Sequence, residues 1–483
     1  MTEPNAINRR QLLAKGGAAA AGLAAAGAYS SLPAWARPVA SMASGLRAPG
    51  SRPFPHLPAG HPTPGLDEIE HVVVLMMENH SFDNLLGMVP HEVKGRAKVD
   101  GLTVTGGKAR NSNPSSIAPY GIEGPDVMAQ LAASPCQGSS VSQSWNSSHT
   151  AWNNGANNGF VQSSGTQAMW YWDRSFLPTT YSLAQHFPFG ERYFCSVLAQ
   201  TYPNRRFLFC GTASGITATN DYTFQVPAAN GTIFNQLLEH NISWLNYVTP
   251  TSSALEGSPL IVPEFAQSLQ CTERMVPIND FFTHAAKGTL PAFSFLDPNY
   301  SIDSEENPQD IQAGERLIAQ VADAVLHSKL WHKTALFITW DEHGGYYDHV
   351  PPPAAIAPDS IAPITTAASL TDPTEPLLPG GFNRYGFRVP LFVISPWARA
   401  NYVSRVVQDH TSILAFIERK WNLPALSFRD ANAHPMTDYF DFKRPAFAKA
   451  PKLAAAPAMA PGLAECQRAG LTPPSGTPGY SSV

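Results

Sequence analysis

The sequence predicts an α/β protein with a doubly wound, mainly parallel central sheet sandwiched by helices. Short β-branched or aromatic runs at 71–77, 242–248, 292–296, 334–340 and 389–395 are each bounded by polar residues or proline, the pattern of buried strands. Helical patterns at 201–209, 232–239, 310–330 and 411–421 are interspersed with them. In the third, Ile311, Leu317, Ile318, Val321, Ala322 and Val325 make an apolar stripe at helical spacing. Strands alternating with helices put a parallel sheet in the middle and helices on both of its faces.

The chain has 483 residues, enough to bury a sizeable core. Only 14% of residues are charged, while 44 Pro and 35 Gly imply long, much-turned connections on which a loop-built site can form. A net charge of -5 and the absence of any Lys/Arg run argue against a nucleic-acid partner. The five cysteines, Cys136, Cys195, Cys210, Cys271 and Cys466, show no metal-binding spacing, and read as small buried residues with one disulfide at most among them.

Residues 1–36 carry paired arginines, an Ala/Gly-rich run and Ala34-Trp35-Ala36, the form of a twin-arginine export signal cleaved after Ala36. The run is short and weakly apolar for a membrane anchor. The expected location is periplasmic or secreted, with the twin-arginine machinery as an export partner. Residues 37–66 read as a disordered Pro/Gly-rich tether, 67–445 as the catalytic domain, and 446–483 as an Ala/Pro-rich tail that wraps or trails. Within the domain, 101–172 and 351–383 read as irregular excursions at the rim of the sheet.

In parallel α/β sheets ligands bind outside the carboxyl ends of the strands. The first strand there delivers Glu78 and Asn79; "TALFITWDEHGGYYDHVPPP" delivers Asp341 and Glu342, followed by His343, Asp348 and His349; "AFSFLDPNY" delivers Asp297. Carboxylates gathered at adjoining strand ends repel one another unless a cation offsets them, so the pattern implies a metal. In "QTYPNRRFLFCG", Thr201 stands at a helix start, where free backbone N–H groups and the positive end of the dipole favour an alkoxide or a phosphate; Asn204 and Arg205 add a donor and a cation. The aromatic group Trp145, Trp152, Trp170, Tyr171 and Trp172 is either packing or a mouth that cages a choline headgroup or dips into lipid.

The motifs "ENHSFDNLLG", "TYPNR", "DEHGGYYDHVPPP", "GFRVPLFVISPWA" and "DHTSILAFIE", in that order, resemble the bacterial phosphoesterase family of non-specific phospholipases C and acid phosphatases, within the alkaline phosphatase-like superfamily. The resemblance implies a divalent metal on Glu78, Asn79, Asp341, Glu342 and the oxygen of Thr201, the nucleophile. It implies His149 as a phosphate-facing histidine and matches His410 to a position near the end of the domain. Asn204, Arg205, Asp297, Glu306, Asn307 and His349 are then expected to face the substrate. His80 departs from a common Arg, Asn307 from a His and Asn157 from a common Asp, so the pocket is expected to hold fewer ionisable groups. The all-oxygen ligand set favours Mg²⁺, Ca²⁺ or Mn²⁺, with Zn²⁺ as an alternative.

The expected activity is metal-dependent phosphoric ester hydrolysis. Phospholipase C action on phosphatidylcholine-type lipids, with transient contact at a membrane surface, is one reading, and acid phosphatase action on soluble phosphomonoesters the other. A catalytically silent binding protein on the same scaffold is the third, and the intact Glu78, Asn79, Thr201, Asp341 and Glu342 set argues against it.

Overall fold

The computed structural model describes residues 45–118, 123–138, 141–249, 257–457 and 466. The export segment, residues 37–44 of the tether and most of the tail lie outside the described residues.

Eight strands form the central sheet. In chain order they are β1 (His71–Met77), β2 (Phe189–Gly190), β3 (Trp244–Val248), β4 (Met275–Pro277), β5 (Phe293–Leu296), β6 (Thr334–Trp340), β7 (Leu391–Ile394) and β8 (Val403–Ser404). Their spatial order is β4-β3-β5-β1-β6-β7-β2-β8. The five from β4 to β6 run parallel, and β7 is antiparallel to both its neighbours. All five strands predicted from the sequence are present. The three it missed, β2, β4 and β8, are two or three residues long, too short to carry a period of their own.

The principal helices are α1 (Phe82–Leu86), α2 (Trp145–Trp152), α3 (Pro178–His186), α4 (Thr201–Cys210), α5 (Ile233–Glu239), α6 (Ile278–Lys287), α7 (Ile311–Leu326) and α8 (His410–Trp421). They cover both faces of the sheet. Phe234 of α5 packs on Trp244 of β3 and on Phe293 and Phe295 of β5. Phe281 of α6 meets Tyr247, which the pleat turns to the opposite face from Trp244. Helices α4, α5 and α8 contact one another on one side, as α3, α6 and α7 do on the other. The excursion expected at 101–172 holds α2, a further helix at Phe160–Ser164 and short strand pairs, so it is structured rather than irregular.

The tether, expected to be disordered, is bound to the body from Gly45 onward, and part of the tail is bound as well. From Gly45 onward the tether lies along the C-terminal end of α8, where the last carbonyls of a helix lack intrahelical partners. Gly60 N–H donates to Trp421 O, Thr63 N–H to Lys420 O and Thr63 Oγ1 to Arg419 O, at 2.9, 3.0 and 2.7 Å. Asn422 Nδ2 donates in turn to the carbonyls of Phe54 and Leu57, each at 2.9 Å. These backbone pairings, together with buried Thr63 and Leu66, order a segment whose composition alone reads as disordered.

The described part of the tail, residues 446–457 and Cys466, lies against the body. Phe447 packs on Phe187, Ala454 N–H donates to Ser182 Oγ at 3.0 Å, and Cys466 forms a disulfide with Cys136 across 330 residues. Cys195, Cys210 and Cys271 are free and buried. Closing so long a loop restricts the unfolded chain strongly, so Cys136→Ser is expected to lower stability by about 3 kcal/mol. Denaturant unfolding checks this: reductant should produce a similar loss in the unaltered protein and none in the variant.

Candidate active site

Strand register builds the site. Met77 of β1 pairs with Trp340 of β6, so the next residues, Glu78 and Asp341, leave the sheet side by side at its carboxyl edge. The two chains are tied there by a hydrogen bond from Asn79 N–H to Asp341 Oδ1 at 3.1 Å. Asn79 takes a positive φ of 65°, and Gly344 sits against it so closely that a Cβ would lie 1.9 Å from the Asn79 carbonyl oxygen. Only glycine allows both that approach and the φ of 65° at Gly344.

Thr201 is the first residue of α4 and lies beside this edge. Its Oγ1 donates to Glu78 Oε2 at 3.0 Å. Arg205, one turn on, is buried behind Glu78: its Nη2 is 2.6 Å from Glu78 Oε1, its Nη1 3.2 Å from Asp297 Oδ1, and its Nε 3.4 Å from Asp341 Oδ2. One guanidinium thus serves three carboxylates. Burial, and then the neighbouring Asp341 charge, push the Glu78 carboxyl well above its usual range, and Glu342 is raised for the same two reasons. Glu306 is near enough to add to both shifts.

Three oxygens of this cluster, Asn79 Oδ1, Asp341 Oδ2 and Glu342 Oε1, are buried without a hydrogen bond. Buried acceptors left unpaired are costly. Their other atoms are fixed: Asp341 Oδ1 accepts from Glu342 N–H at 2.7 Å, and Glu342 Oε2 from Gly344 N–H at 2.8 Å. These positions are acceptors without a hydrogen-bond donor, and an all-oxygen set with excess negative charge has the chemistry that suits a hard divalent cation.

Several residues expected to face the substrate turn elsewhere. Asn204 braces the loop before α4, accepting from Ser196 N–H and Val197 N–H and donating to Ala199 O. With Arg205 buried behind Glu78, the phosphate cradle expected of this pair is not formed. Asp297 accepts from Asn246 Nδ2 and Tyr300 Oη, each at 2.9 Å, and burial, offset by Arg205, raises it to about 6. It is a partner of Arg205 rather than of a substrate. Asn307 Nδ2 donates to Gly138 O and Tyr346 Oη, while its Oδ1 is buried without a hydrogen bond.

His349 belongs to a separate ionic knot. Its nitrogens meet Asp83 Oδ2 at 2.6 Å and Asp100 Oδ1 at 3.0 Å. Burial would lower it, but the Asp83 charge and hydrogen bond, with the Asp348 charge, together raise it to about 9. Asp83, Asp348 and His349 are close enough to ligate an ion. Arg388, however, already bridges the two carboxylates, at 3.1 Å from Asp83 and 2.8 Å from Asp348, and supplies the positive charge. The sequence reading missed Arg388; the sign of it was a lone cation entering the apolar run of β7.

The two candidate catalytic histidines differ. His149 Nδ1 lies 2.8 Å from Trp145 O, which fixes the proton on Nδ1 and leaves Nε2 as an acceptor. Trp145 packs with Ala199 and Phe207, which sets α2 beside the start of α4. Burial lowers His149 to about 4, so it is neutral at neutral pH. His410 has both nitrogens engaged, Nε2 with Asp341 O at 2.6 Å and Nδ1 with Tyr193 Oη at 3.0 Å. It holds the peptide that carries Asp341 and Glu342 and has no nitrogen left for a substrate. Tyr193 was not legible in the sequence.

The chain's Ile69–Pro424 segment, residues 69–424, matches the family model described as Phosphoesterase family. The chain belongs to this family. It is a phosphoric ester hydrolase. Phospholipase C B of Mycobacterium tuberculosis is 29% identical over 92% of this chain and 88% of its own length. Non-specific phospholipase C1 of Arabidopsis thaliana is 30% identical over 77% and 71%. Among solved structures, a protein in the alkaline phosphatase superfamily from Vibrio parahaemolyticus aligns over 81% of this chain and 72% of its own, with a TM-score of 0.39 at 8% identity.

His80 at the site's edge is a packing residue. It is stacked on Tyr346 at 5.1 Å, and its nitrogens face Asn84 Oδ1 and Glu305 O. Ser81 caps α1, accepting from Asn84 N–H. Burial lowers His80 from its ordinary 6.5 to about 4. The unfolded chain therefore binds a proton first as pH falls, and the stability tied to this lowered value is present above 6.5 and lost toward 4. The stability difference between the unaltered protein and His80→Gln should shrink by about 3 kcal/mol over that window, read from denaturant unfolding at several pH values. A constant difference would contradict a neutral buried ring.

Proposed function

We propose that the protein is an exported, metal-dependent phospholipase C that cleaves phosphatidylcholine-type lipids through Thr201. The observation that carries the reading is the set of unpaired buried oxygens on Asn79, Asp341 and Glu342 beside the Thr201 hydroxyl. The names of the relatives, phospholipase C in both bacterial and plant cases, support a lipid substrate. Export is supported by the Cys136–Cys466 disulfide, a bond that persists in oxidising compartments. Among the described residues no helix is long and apolar enough to cross a membrane.

Glu78, Asn79, Asp341 and Glu342, with Thr201 Oγ1, would hold the divalent cation. When bound, such an ion lowers the hydroxyl's pKa and offsets charge on phosphoryl oxygens. Thr201 Oγ1 attacks phosphorus in line; its proton leaves toward Glu78 Oε2, the atom it already faces. The bond from phosphorus to the glycerol oxygen breaks, the proton taken up by Glu78 passes to the departing diacylglycerol oxygen, and a phospho-threonine remains. Water then cleaves the phospho-threonine, with His149 Nε2 accepting its proton and returning it to the freed Thr201 oxygen. Arg205 keeps the Glu78 carboxylate in place throughout.

Thr201→Ala should abolish turnover while leaving folding intact and metal content largely so, since Glu78, Asn79, Asp341 and Glu342 would still hold the ion. Phosphatidylcholine and p-nitrophenyl phosphate assayed side by side, with and without chelator, test the substrate: turnover of the monoester alone would favour the phosphatase reading, and chelator-insensitive turnover would remove the metal.

His410 separates positioning from proton transfer. His410→Ala should weaken metal affinity about tenfold or more, while His410→Gln, which can still donate to Asp341 O, should recover most of it. Titration calorimetry with Mg²⁺ or Mn²⁺ measures this apart from activity. Unchanged affinity with a fallen kcat would make His410 a proton-transfer group after all.

A further inference from the structure

Of the aromatic residues that the sequence offered as lipid contacts, Trp145, Trp152, Tyr171 and Trp172 are buried and Trp170 is half-buried. Different apolar side chains are exposed along α4, the helix that starts at the nucleophile. Phe224 is 41% exposed, Ile361 43% and Phe428 38%. All three border one arm of the chain, residues 358–371, which runs from the C-terminal end of α4, where Thr212 Oγ1 donates to Asp359, to its N-terminal end at Gln200.

Contacts fix the arm there. Thr371 Oγ1 donates to Gln200 Oε1 at 3.0 Å, one residue before Thr201. Asn220 Nδ2 donates to Leu370 O at 3.3 Å, and Ile364 N–H to Gly215 O at 2.9 Å. Phe428 N–H donates to Pro358 O at 2.9 Å, and Phe224 stands edge-on to Tyr202, the residue after Thr201. The backbone is thus anchored while Ile361, Phe224 and Phe428 are left to solvent.

The charge pattern selects what can cover this surface. No charged residue occurs from Ser360 to Thr371, and residues 212–231 and 351–383 contain no Lys or Arg at all. Their charged side chains are acidic: Asp221, Asp359, Asp372 and Glu375. An anionic leaflet attracts basic segments and repels this one. The outer layer of a zwitterionic bilayer ends in quaternary ammonium groups, which an acidic rim complements while apolar tips enter the headgroup and acyl boundary.

We propose that the 358–371 arm, with Phe224 and Phe428, is the surface on which this protein docks to a zwitterionic phospholipid bilayer, bringing Thr201 to the interface. The proposal rests on the phospholipase C reading for its purpose. It predicts binding, however, apart from cleavage.

The test uses the full chain carrying Thr201→Ala, so that lipid stays intact, and flotation with vesicles of phosphatidylcholine or of phosphatidylglycerol. Binding to phosphatidylcholine should be the tighter, and Phe224→Ser with Ile361→Ser should weaken it at least about tenfold. The same pair in the active protein should leave turnover of p-nitrophenylphosphorylcholine, a soluble ester, unchanged, which also shows that it folds. In a second variant, Ile361→Trp, emission should shift to the blue on adding phosphatidylcholine vesicles. Undiminished vesicle binding by the double variant, tighter binding to phosphatidylglycerol, or no vesicle binding would overturn the docking surface. Vesicle binding as expected, with no lipid cleaved by the active protein, would uphold the surface and sink the phospholipase reading.

Discussion

A single buried guanidinium among several buried carboxylates governs this molecule. Arg205 touches Glu78, Asp297 and Asp341 with no exposure to water. Its one positive charge cannot neutralise these three together with the adjacent Glu342. Burial strengthens the repulsion that remains, which is why Glu78 and Glu342 are pushed upward and why oxygens stand open at the sheet edge. Arg205 fixes the Glu78 side of the cluster and leaves the other side short of charge. The consequence is a cluster of buried oxygens with more negative charge than its own cation offsets.

The surrounding structure makes that arrangement rigid. The parallel register of β1 with β6 sets the two acidic turns side by side. Asn204 locks the approach to α4, so that Thr201 starts the helix facing Glu78. His410, supported by Tyr193, holds the peptide between Asp341 and Glu342. Arg388 ties Asp83 to Asp348 and so fastens the loop after β6 to the start of α1. Each brace is a buried polar group satisfied by a partner from a distant part of the chain, the condition under which such groups specify one geometry.

The same logic extends to the periphery. Residues 45–66 order because the end of α8 offers free carbonyls, and the tail orders against Phe187, Ser182 and Cys136. The disulfide joins the tail to the loop beside Gln137, whose amide reaches Glu305 O. The wall that carries Glu306 and Asn307 is thereby tied to the far end of the chain. The 358–371 arm, uncharged from Ser360 onward, lies against Gln200 beside the site.

The sequence by itself determined five strands of the sheet, the helices α4, α5, α7 and α8, and which residues stand at the strand ends. Strands buried on both faces must be apolar throughout, so β1 and β6 are legible locally, and Glu78, Asn79, Asp341 and Glu342 follow them directly. Thr201 was legible from its place at a helix start. Only the tertiary structure decided which way the neighbouring polar groups turn. Arg205 finds Glu78 from 127 residues away and His410 finds Asp341 from 69, and nothing in the local pattern distinguishes such a brace from a substrate contact. The tryptophans were equally silent, because packing and lipid contact use the same side chains. Local burial patterns are encoded by neighbours in the chain, whereas the direction of a polar side chain is set by the nearest unsatisfied partner in space.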